Sequence, residues 1–495
     1  MRKMLESNDN GHSLELLFKP RNVVIYRISN AVEFFVRGFK RQGFNLNNLY
    51  LISPKVESFL GIKCYNSIDK IPIDQIDLLI LSIRRDLLVE TLQEILIKKR
   101  VNFIHIFTAG TGEFDQKGSE IESEIKNILQ KYGNTRSIGP NCMGIYSPRG
   151  KTAYYSSFPE EPGNIGLIFQ SGDLHSKLIK FGSRRYHLRF SIGVSIGNCV
   201  DLQISDVLEY LNEDEDTDVI CVYFEGISPI HKREGKNLLQ VLKGMNKPVL
   251  FMRGGKTERG QTAVLSHTGS LATNKNIWDA VFKQTPIVEI PSSLDKLIDI
   301  TYLFSSYYNR FRTLKRKIEY PKNKRALIIL WSGGFGILAT DTLIEMGLEV
   351  PHFKGETLEK LTNIYPIRVG SLANPLDLPF VTYQKELVEV TKAAVDEDIS
   401  LIIVETDAWK DLEGQQFKGY YKNLLEIRDY VENQNKIMII ILHQYPSESQ
   451  KIFIDMLLKD NFLVYSSLEA AAVSFLKLYD YGRKITERSK KNLVL

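Results

Sequence analysis

The sequence predicts an α/β protein built from three αβ units of nucleotide-binding type in series. Three observations lead there. Short β-branched runs alternate with longer segments of helical period, the pattern of parallel strands joined by crossover helices. Glycine and proline break that pattern near residues 138 to 150, and a basic stretch containing Pro321 breaks it again at 312 to 325. The length, 495 residues, suits about three hydrophobic cores.

The first block, residues 14–150, carries the strand candidates "NVVIYRI", "LYLIS", "DLLILSI" and "NFIHIF". Between them lie helical stretches such as "DLLVETLQEILIKKR", with apolar residues at i, i+3 and i+4. The second block, 160–308, runs through "NIGLIFQ", "LRFSIGVSIGN", "DVICVYFEGI" and "KPVLFMRGGK". Residues 309–324 read as a linker. Their bland meaning, a solvated connection, outweighs a nucleic-acid patch because no aromatic residues interleave the charges in the expected way. The third block, 325–482, opens with "RALIILWSGGFGILATDTLIEMG" and continues to "FLVYSSLEAAAVSFLKLYDYG".

Composition excludes several classes. The chain is 43% hydrophobic and 25% charged, which argues against global disorder. A net charge of +5 is too weak, over this length, to argue for nucleic acid. Cys64, Cys142, Cys199 and Cys221 form no C-x-x-C pair, so neither a zinc site nor any other metal site is expected. No apolar run reaches the roughly 20 residues of a membrane span, and "MRKMLESNDNGH" lacks an apolar signal core. A cytoplasmic protein with no membrane contact is the expectation.

Two strand-to-helix turns could present backbone N–H groups to an anion: "FQSGDLHSK", with Ser171 and Gly172, and "WSGGFG" at 331–336. Each is also ordinary punctuation, and Asp173 and Asp201 place carboxylates near the first. His267, in "AVLSHTGSLA", lies among hydroxyls and small residues that could donate to a phosphoryl group on its imidazole. Glu225 ends the strand "DVICVYFEG", where parallel sheets deliver functional side chains, and could fix the imidazole tautomer. Taken alone, His267 reads sooner as a polar loop residue and Glu225 as a surface carboxylate than as a catalytic pair. No G-x-S-x-G elbow and no G-x-G-x-x-G after the first strand is present.

The order of motifs resembles the alpha subunit of NDP-forming acyl-CoA synthetases, the ADP-forming acetate–CoA ligase type, relatives of the succinyl-CoA ligase alpha subunit. "LFKPRNVVI", "FTAGTGE", "SIGPNCMGIYSP", "GNIGLIFQSGDL", "VYFEGI", "VLSHTGSLA", "WSGGFGILATD" and "NPLDL" carry the likeness over roughly residues 14 to 480. The resemblance implies a Rossmann-like CoA-binding domain followed by two flavodoxin-like domains. It implies that His267 becomes phosphorylated and that Glu225 orients it. Gln170, Ser171, Gly172, Thr268 and Gly269 would bind phosphate. Lys55, Thr108, Ala109, Gly110, Asn141 and Cys142 would line the site of coenzyme A, a substrate here. The partners implied are a small carboxylic acid and an ATP-grasp beta subunit that holds ADP or ATP and Mg²⁺. The alternative is a non-catalytic CoA- or acyl-CoA-binding subunit that regulates or scaffolds a partner.

The chain departs from the family in two places. After the first strand the family has a Gly-Ala-Ser type loop, whereas "IYRISNAVEFF" has no glycine, so Arg27 and Ile28 should crowd a ligand. After the third strand, Arg84 and Arg85 stand where the family usually has proline. These arginines would rebuild a phosphate site, or CoA binding would weaken. His175 and Ser176 also differ from the usual small or aromatic residues after the phosphate turn.

Overall fold

The computed structural model of the chain describes residues 13–268, 275–366, 369–379, 383–407, 409–443 and 447–494. The chain divides into two compact units, Met1–Ile298 and Asp299–Leu495. Among the described residues the strands form three sheets, two in the first unit and one in the second.

The first sheet contains β1 (Val23–Tyr26), β2 (Leu49–Ile52), β3 (Ser58–Phe59), β4 (Ile62–Tyr65), β5 (Gln75–Leu81), β6 (Arg100–Ile106) and β7 (Arg136–Ile138). Their spatial order is β3-β4-β2-β1-β5-β6-β7. All pairs are parallel except the short β3–β4 hairpin. Strand β1 is buried along its whole length because helices cover both faces, so it reads as a continuous apolar run rather than an alternation. The helix Gln116–Tyr132 buries Ile121, Ile125, Ile128 and Leu129 on one stripe. It starts where the Asp115 side chain accepts from the Gly118 N–H at 2.7 Å, a cap worth about 1 kcal/mol. From β1 the chain moves first to one side and then to the other, so the crevice between the ends of β1 and β5 is the sheet's topological switch point.

The second sheet has the order β13-β12-β11-β9-β10-β8. Its strands are β8 (Gly144–Tyr146), β9 (Pro162–Phe169), β10 (Phe190–Ser195), β11 (Val219–Phe224), β12 (Val249–Arg253) and β13 (Val288–Ile290). Residues 144–146 fall inside the range 14–150 of the first block, yet they pair antiparallel with β10. The anchor is Tyr146, fully buried, whose hydroxyl donates to the Pro159 carbonyl at 2.8 Å. Here the switch point lies between β9 and β11.

In the second unit β14 (Ala326–Leu330), β15 (Leu376–Asp377), β16 (Leu401–Glu405), β17 (Ile437–Ile441) and β18 (Leu463–Tyr465) form a parallel sheet in the order β15-β14-β16-β17-β18. Its core gathers Leu327, Ile329, Ile402, Val404, Ile440 and the aromatic rings of Phe417, Tyr420 and Phe453. The helix Leu294–Thr313 carries Tyr302, whose hydroxyl donates to Phe462 O and accepts from Val464 N, pinning that helix to β18. The stretch 309–324 therefore begins inside a helix. No described helix is long and apolar enough to cross a membrane.

Candidate active site

A cleft of about 660 Å³ opens in the first unit where loops from both of its sheets meet. Ser82, Ile83, Arg84 and Arg85 line it from the end of β5, and Phe107, Thr108 and Ala109 from the end of β6. Asn141, Cys142 and Met143 come from the loop after β7, Gln170 to Asp173 from the end of β9, and Asn198 from the end of β10. The cleft thus collects Thr108, Ala109, Asn141, Cys142, Gln170, Ser171 and Gly172 in one place.

Backbone bonds hold the two sheets' loops together there. Asn141 N donates to Thr108 O at 2.9 Å, Gly139 N to Ile196 O at 3.0 Å and Asn198 N to Pro140 O at 3.0 Å. Burial pushes the Cys142 thiol well above its ordinary value, with Cys199 adding to the rise, and the Sγ lies 3.6 Å from Ile106 O. Cys142 is therefore a neutral packing residue, and what its loop offers a ligand is backbone. Across the cleft, Asn198 Nδ2 donates to Glu113 Oε2 at 2.6 Å and Glu122 Oε1 at 2.8 Å. Burial raises the Glu122 carboxyl despite these bonds.

The anion turn has a defined construction. Ser171 is extended (φ −94°, ψ 122°) and its Oγ accepts from Leu174 N, so the helix Gly172–Tyr186 starts with its first N–H groups facing the cleft. Behind this turn runs a buried relay of hydroxyls. The Ser176 hydroxyl donates to Gly172 O at 2.8 Å, which leaves its oxygen to accept from Tyr154, 3.1 Å away. Tyr154 then accepts from His175 Nδ1 at 2.5 Å. That ordering fixes the proton on Nδ1 and leaves His175 Nε2 as a bare acceptor, matching its lack of a partner. Burial pushes the His175 imidazole down to about 3, so it is neutral. His175 and Ser176 hold the anion turn from behind and do not enter the cleft. The carboxylates near the turn are engaged as well. Asp173 meets Lys177 at 2.6 Å, and both oxygens of Asp201 accept from Arg136 Nε at 3.0 Å.

Glu225 is 7% exposed and follows the last residue of β11. Its backbone N–H donates to Gln170 Oε1 at 2.5 Å, as does that of Gly226 at 3.1 Å, while Gln170 Nε2 donates to Gly226 O at 2.9 Å. One amide side chain therefore locks the ends of β9 and β11 together at the switch point. Burial raises the Tyr223 phenol, and the neighbouring Glu225 carboxylate raises it further. His267 and Thr268 fall in the last turn of the helix Glu258–Thr268. Their side chains, and Gly269 altogether, lie outside the described residues. Val264, one turn before His267, is buried against the Gly254 backbone: a Cβ on Gly254 would lie 3.5 Å from Val264 Cγ2 and 3.8 Å from Glu225 Cγ.

Two expected residues sit elsewhere. Lys55 lines a separate cleft of about 470 Å³ at the ends of β2 and β4, with Lys63, Lys70, Glu57 and Tyr65. Gly110 is turned into its own loop, its N–H donating to Glu113 at 2.5 Å and its carbonyl accepting from Arg85 Nη1 at 2.7 Å.

The two departures also take definite forms. Arg27 adopts φ +66°, the left-handed conformation a glycine would take without strain. Its side chain is exposed, while Ile28 turns inward and is 6% exposed, so Ile28 does not crowd the surface. Arg85 forms a bidentate pair with Asp115 at 2.8 and 3.0 Å and lies 4.9 Å over the Phe114 ring. Arg84 bonds only within its own turn, to Asp86, and its side chain is 79% exposed at the cleft. Arg85 is a loop clamp and Arg84 an exposed rim cation paired with Asp86.

A CoA binding domain family matches residues 28–148, and the succinyl-CoA ligase like flavodoxin domain family matches 162–304. The alpha subunit of acetate–CoA ligase (ADP-forming) II from Pyrococcus furiosus is 27% identical over 95% of this chain and 98% of its own length. The chain is a homologue of the alpha subunits of ADP-forming acetate–CoA ligases. An ADP-forming acetate–CoA ligase from Methanocaldococcus jannaschii is 35% identical over 67% of this chain, which spans 44% of that longer relative. Among solved structures, a dinucleotide-forming acetyl-coenzyme A synthetase of Candidatus Korarchaeum cryptofilum, in complex with phosphate and ADP, superposes with a TM-score of 0.78. It is 25% identical, and the match covers 97% of this chain and 99% of that one.

In this alpha-subunit homologue the fold is thus a Rossmann-like CoA-binding domain followed by two flavodoxin-like domains. The second unit has its own switch point, where Ser332 precedes the helix Gly333–Glu345 at the end of β14 and Glu405 ends β16. Burial and then Asp407 push the Glu405 carboxyl up to about 7. Sequence reading missed Met143, Phe107 and Asn198 as cleft residues. Phe107 directly follows β6 and Asn198 lies three residues after β10, positions that could have flagged them. Met143 has no such signal.

Proposed function

We propose that this chain is the alpha subunit of an ADP-forming acyl-CoA synthetase, active with an ATP-grasp beta subunit that binds ADP or ATP and Mg²⁺. The reaction is acyl-CoA + ADP + phosphate ⇌ acid + CoA + ATP. The observation that carries this reading is the Gln170 bridge. Gln170 lines the cleft beside the Ser171–Gly172 turn and at the same time holds the backbone of Glu225.

Phosphate bound at the N-terminus of the helix Gly172–Tyr186 attacks the thioester carbonyl. The C–S bond breaks, and acyl phosphate and the CoA thiolate form. N–H groups of Ser171, Gly172 and Asp173 stabilise the charge on the phosphoryl oxygens without reorganising. His267 then attacks phosphorus, the carboxylate leaves, and a phosphohistidine results, with Thr268 and Gly269 as further donors to it. Glu225 accepts from the other imidazole nitrogen, fixing the tautomer and offsetting the positive charge that develops. Supporting the pairing, Gly254 lies close both to Glu225 and to Val264 of the helix Glu258–Thr268. The partner's ADP finally takes the phosphoryl group.

Coenzyme A would extend along the C-terminal edge of the first sheet. Its anionic nucleotide end suits the cleft of Lys55, Lys63 and Lys70. Its thioester end suits the cleft of Thr108, Ala109, Asn141 and Cys142, beside the Ser171–Gly172 turn. Between the two clefts lies the end of β1, where Arg27 replaces the expected glycine. A range division of 14–150, 160–308 and 325–482 is the domain reading we adopt, with strand β8 donated from the first range to the second sheet and the helix Leu294–Thr313 running into the connecting stretch 309–324.

Incubating the chain, assembled with its beta subunit, with acetyl-CoA and ³²P-labelled phosphate tests the proposal. Acid-labile label on His267, with one CoA thiol released per label, is the expected result. Tight CoA binding with no label under any acyl-CoA would support the non-catalytic reading, which the Arg27 side chain favours.

A further inference from the structure

We infer that Met143 sets the size of acyl group the chain accepts. The inference rests on the reading that the Ser171–Gly172 turn receives the reacting anion, and it goes beyond it by naming the side chain that faces the acyl tail.

Met143 stands in the loop between β7 and β8, beside Cys142 and Gly144. Its position is held by the backbone: Met143 N donates to Ser195 Oγ at 3.1 Å, tying the loop to the end of β10. Its side chain reaches over the anion turn. A Cβ built on Gly172 would lie 2.4 Å from Met143 Cγ and 3.2 Å from Met143 Cβ, so the thioether chain fills the space directly above the first residue of the helix. Glycine at 172 is what allows this approach. Met143 is half-buried and lines the same cleft as the apolar side chains of Phe107 and Ile83.

Chemistry then places the substrate. When the phosphate or carboxylate sits on the N–H groups of the turn, the acyl carbon is one bond away and its alkyl tail begins within a few ångströms. The side chain covering Gly172 is the one that tail meets. The side chains of Met143, Ile83 and Phe107 offer that tail no charge, so this part of the cleft suits an unbranched apolar acyl group. An unbranched thioether is an adjustable stop, and one methylene of misfit in an apolar pocket changes selectivity by roughly 10- to 200-fold.

The test measures kcat/KM for acetyl-CoA and for butyryl-CoA, with phosphate and ADP, on the chain assembled with its beta subunit. Met143→Ala is expected to raise the butyryl-to-acetyl ratio at least about tenfold, and Met143→Phe to lower it. A purely structural role would reduce both substrates together and leave the ratio unmoved. An unchanged ratio in both variants, on an active wild type, overturns the assignment of Met143 alone. A wild type that cleaves no acyl-CoA overturns the catalytic reading, and this inference falls with it.

Discussion

Gln170 holds Glu225 by its backbone: Gln170 Oε1 accepts from the Glu225 N–H at 2.5 Å and from the Gly226 N–H at 3.1 Å. Both donor residues are buried, so this one amide oxygen satisfies two groups that water cannot reach. Gln170→Leu leaves both N–H groups unpaired and should cost about 2 kcal/mol or more of stability. Chemical denaturation measures that loss. Phosphorylation of His267 should slow more than the stability loss explains, because Glu225 is no longer held in place. Gln170→Glu, which keeps the acceptor, should recover part of the rate.

Arg85 and Arg84 should separate cleanly. Arg85 clamps Asp115 and the Gly110 carbonyl, so Arg85→Ala frees the loop that follows β6 and should raise the KM for CoA roughly tenfold by misplacing Thr108 and Ala109. Arg84 stands exposed at the rim, and Arg84→Ala should give a smaller rise that fades as salt is added. Steady-state kinetics at two ionic strengths distinguish them. A larger, salt-insensitive effect at Arg84 would reassign it as a direct ligand.

Arg27 keeps a glycine-like backbone while carrying an exposed side chain. Arg27→Gly removes roughly 1 kcal/mol of left-handed strain and clears the surface between the two clefts. CoA should bind several-fold more tightly to this variant in calorimetry. Weaker binding would show instead that the guanidinium contacts a phosphate.

Acid should destabilise the chain through its buried histidines. His175 and His105 are pushed by burial from 6.5 to about 3 and about 4. The unfolded chain therefore takes up protons below pH 6.5 that the folded chain refuses, and stability falls as the pH drops from 6.5 towards those values. Glu234 and Glu405, raised to about 7, act in the opposite sense: their contribution is present below the ordinary 4.5 and fades as pH rises through 7. Replacing His175 with Gln isolates the first effect. The stability difference between pH 7 and pH 5 should shrink by about 2 kcal/mol, read from urea denaturation at the two values.

The parallel strands were legible because burial on both faces writes long apolar runs, as in Val23–Tyr26 and Ile437–Ile441. The edge strand Gly144–Tyr146 was not legible, because three residues carry no period and only the buried Tyr146 hydroxyl reveals its role. Motif order singled out Thr108, Ala109, Asn141, Cys142 and the Gln170–Gly172 turn, which line one cleft. Lys55 was grouped with the loops after β6 and β7, but sequence spacing cannot say that β2 and β6 end at different clefts of one edge. The His175–Tyr154–Ser176 relay joins residues some 20 positions apart that share no motif, so only three-dimensional packing exposes it.

The central claim is that His267 carries a phosphoryl group oriented by Glu225. The most direct measurement mixes the chain with its ATP-grasp partner, Mg²⁺ and γ-labelled ATP, and maps acid-labile label on the chain. The account predicts label on His267, lost in His267→Asn, reduced at least tenfold in Glu225→Gln, and discharged by acetate with CoA. Wild-type chain that stays unlabelled with a partner shown to bind it and ATP would contradict the account.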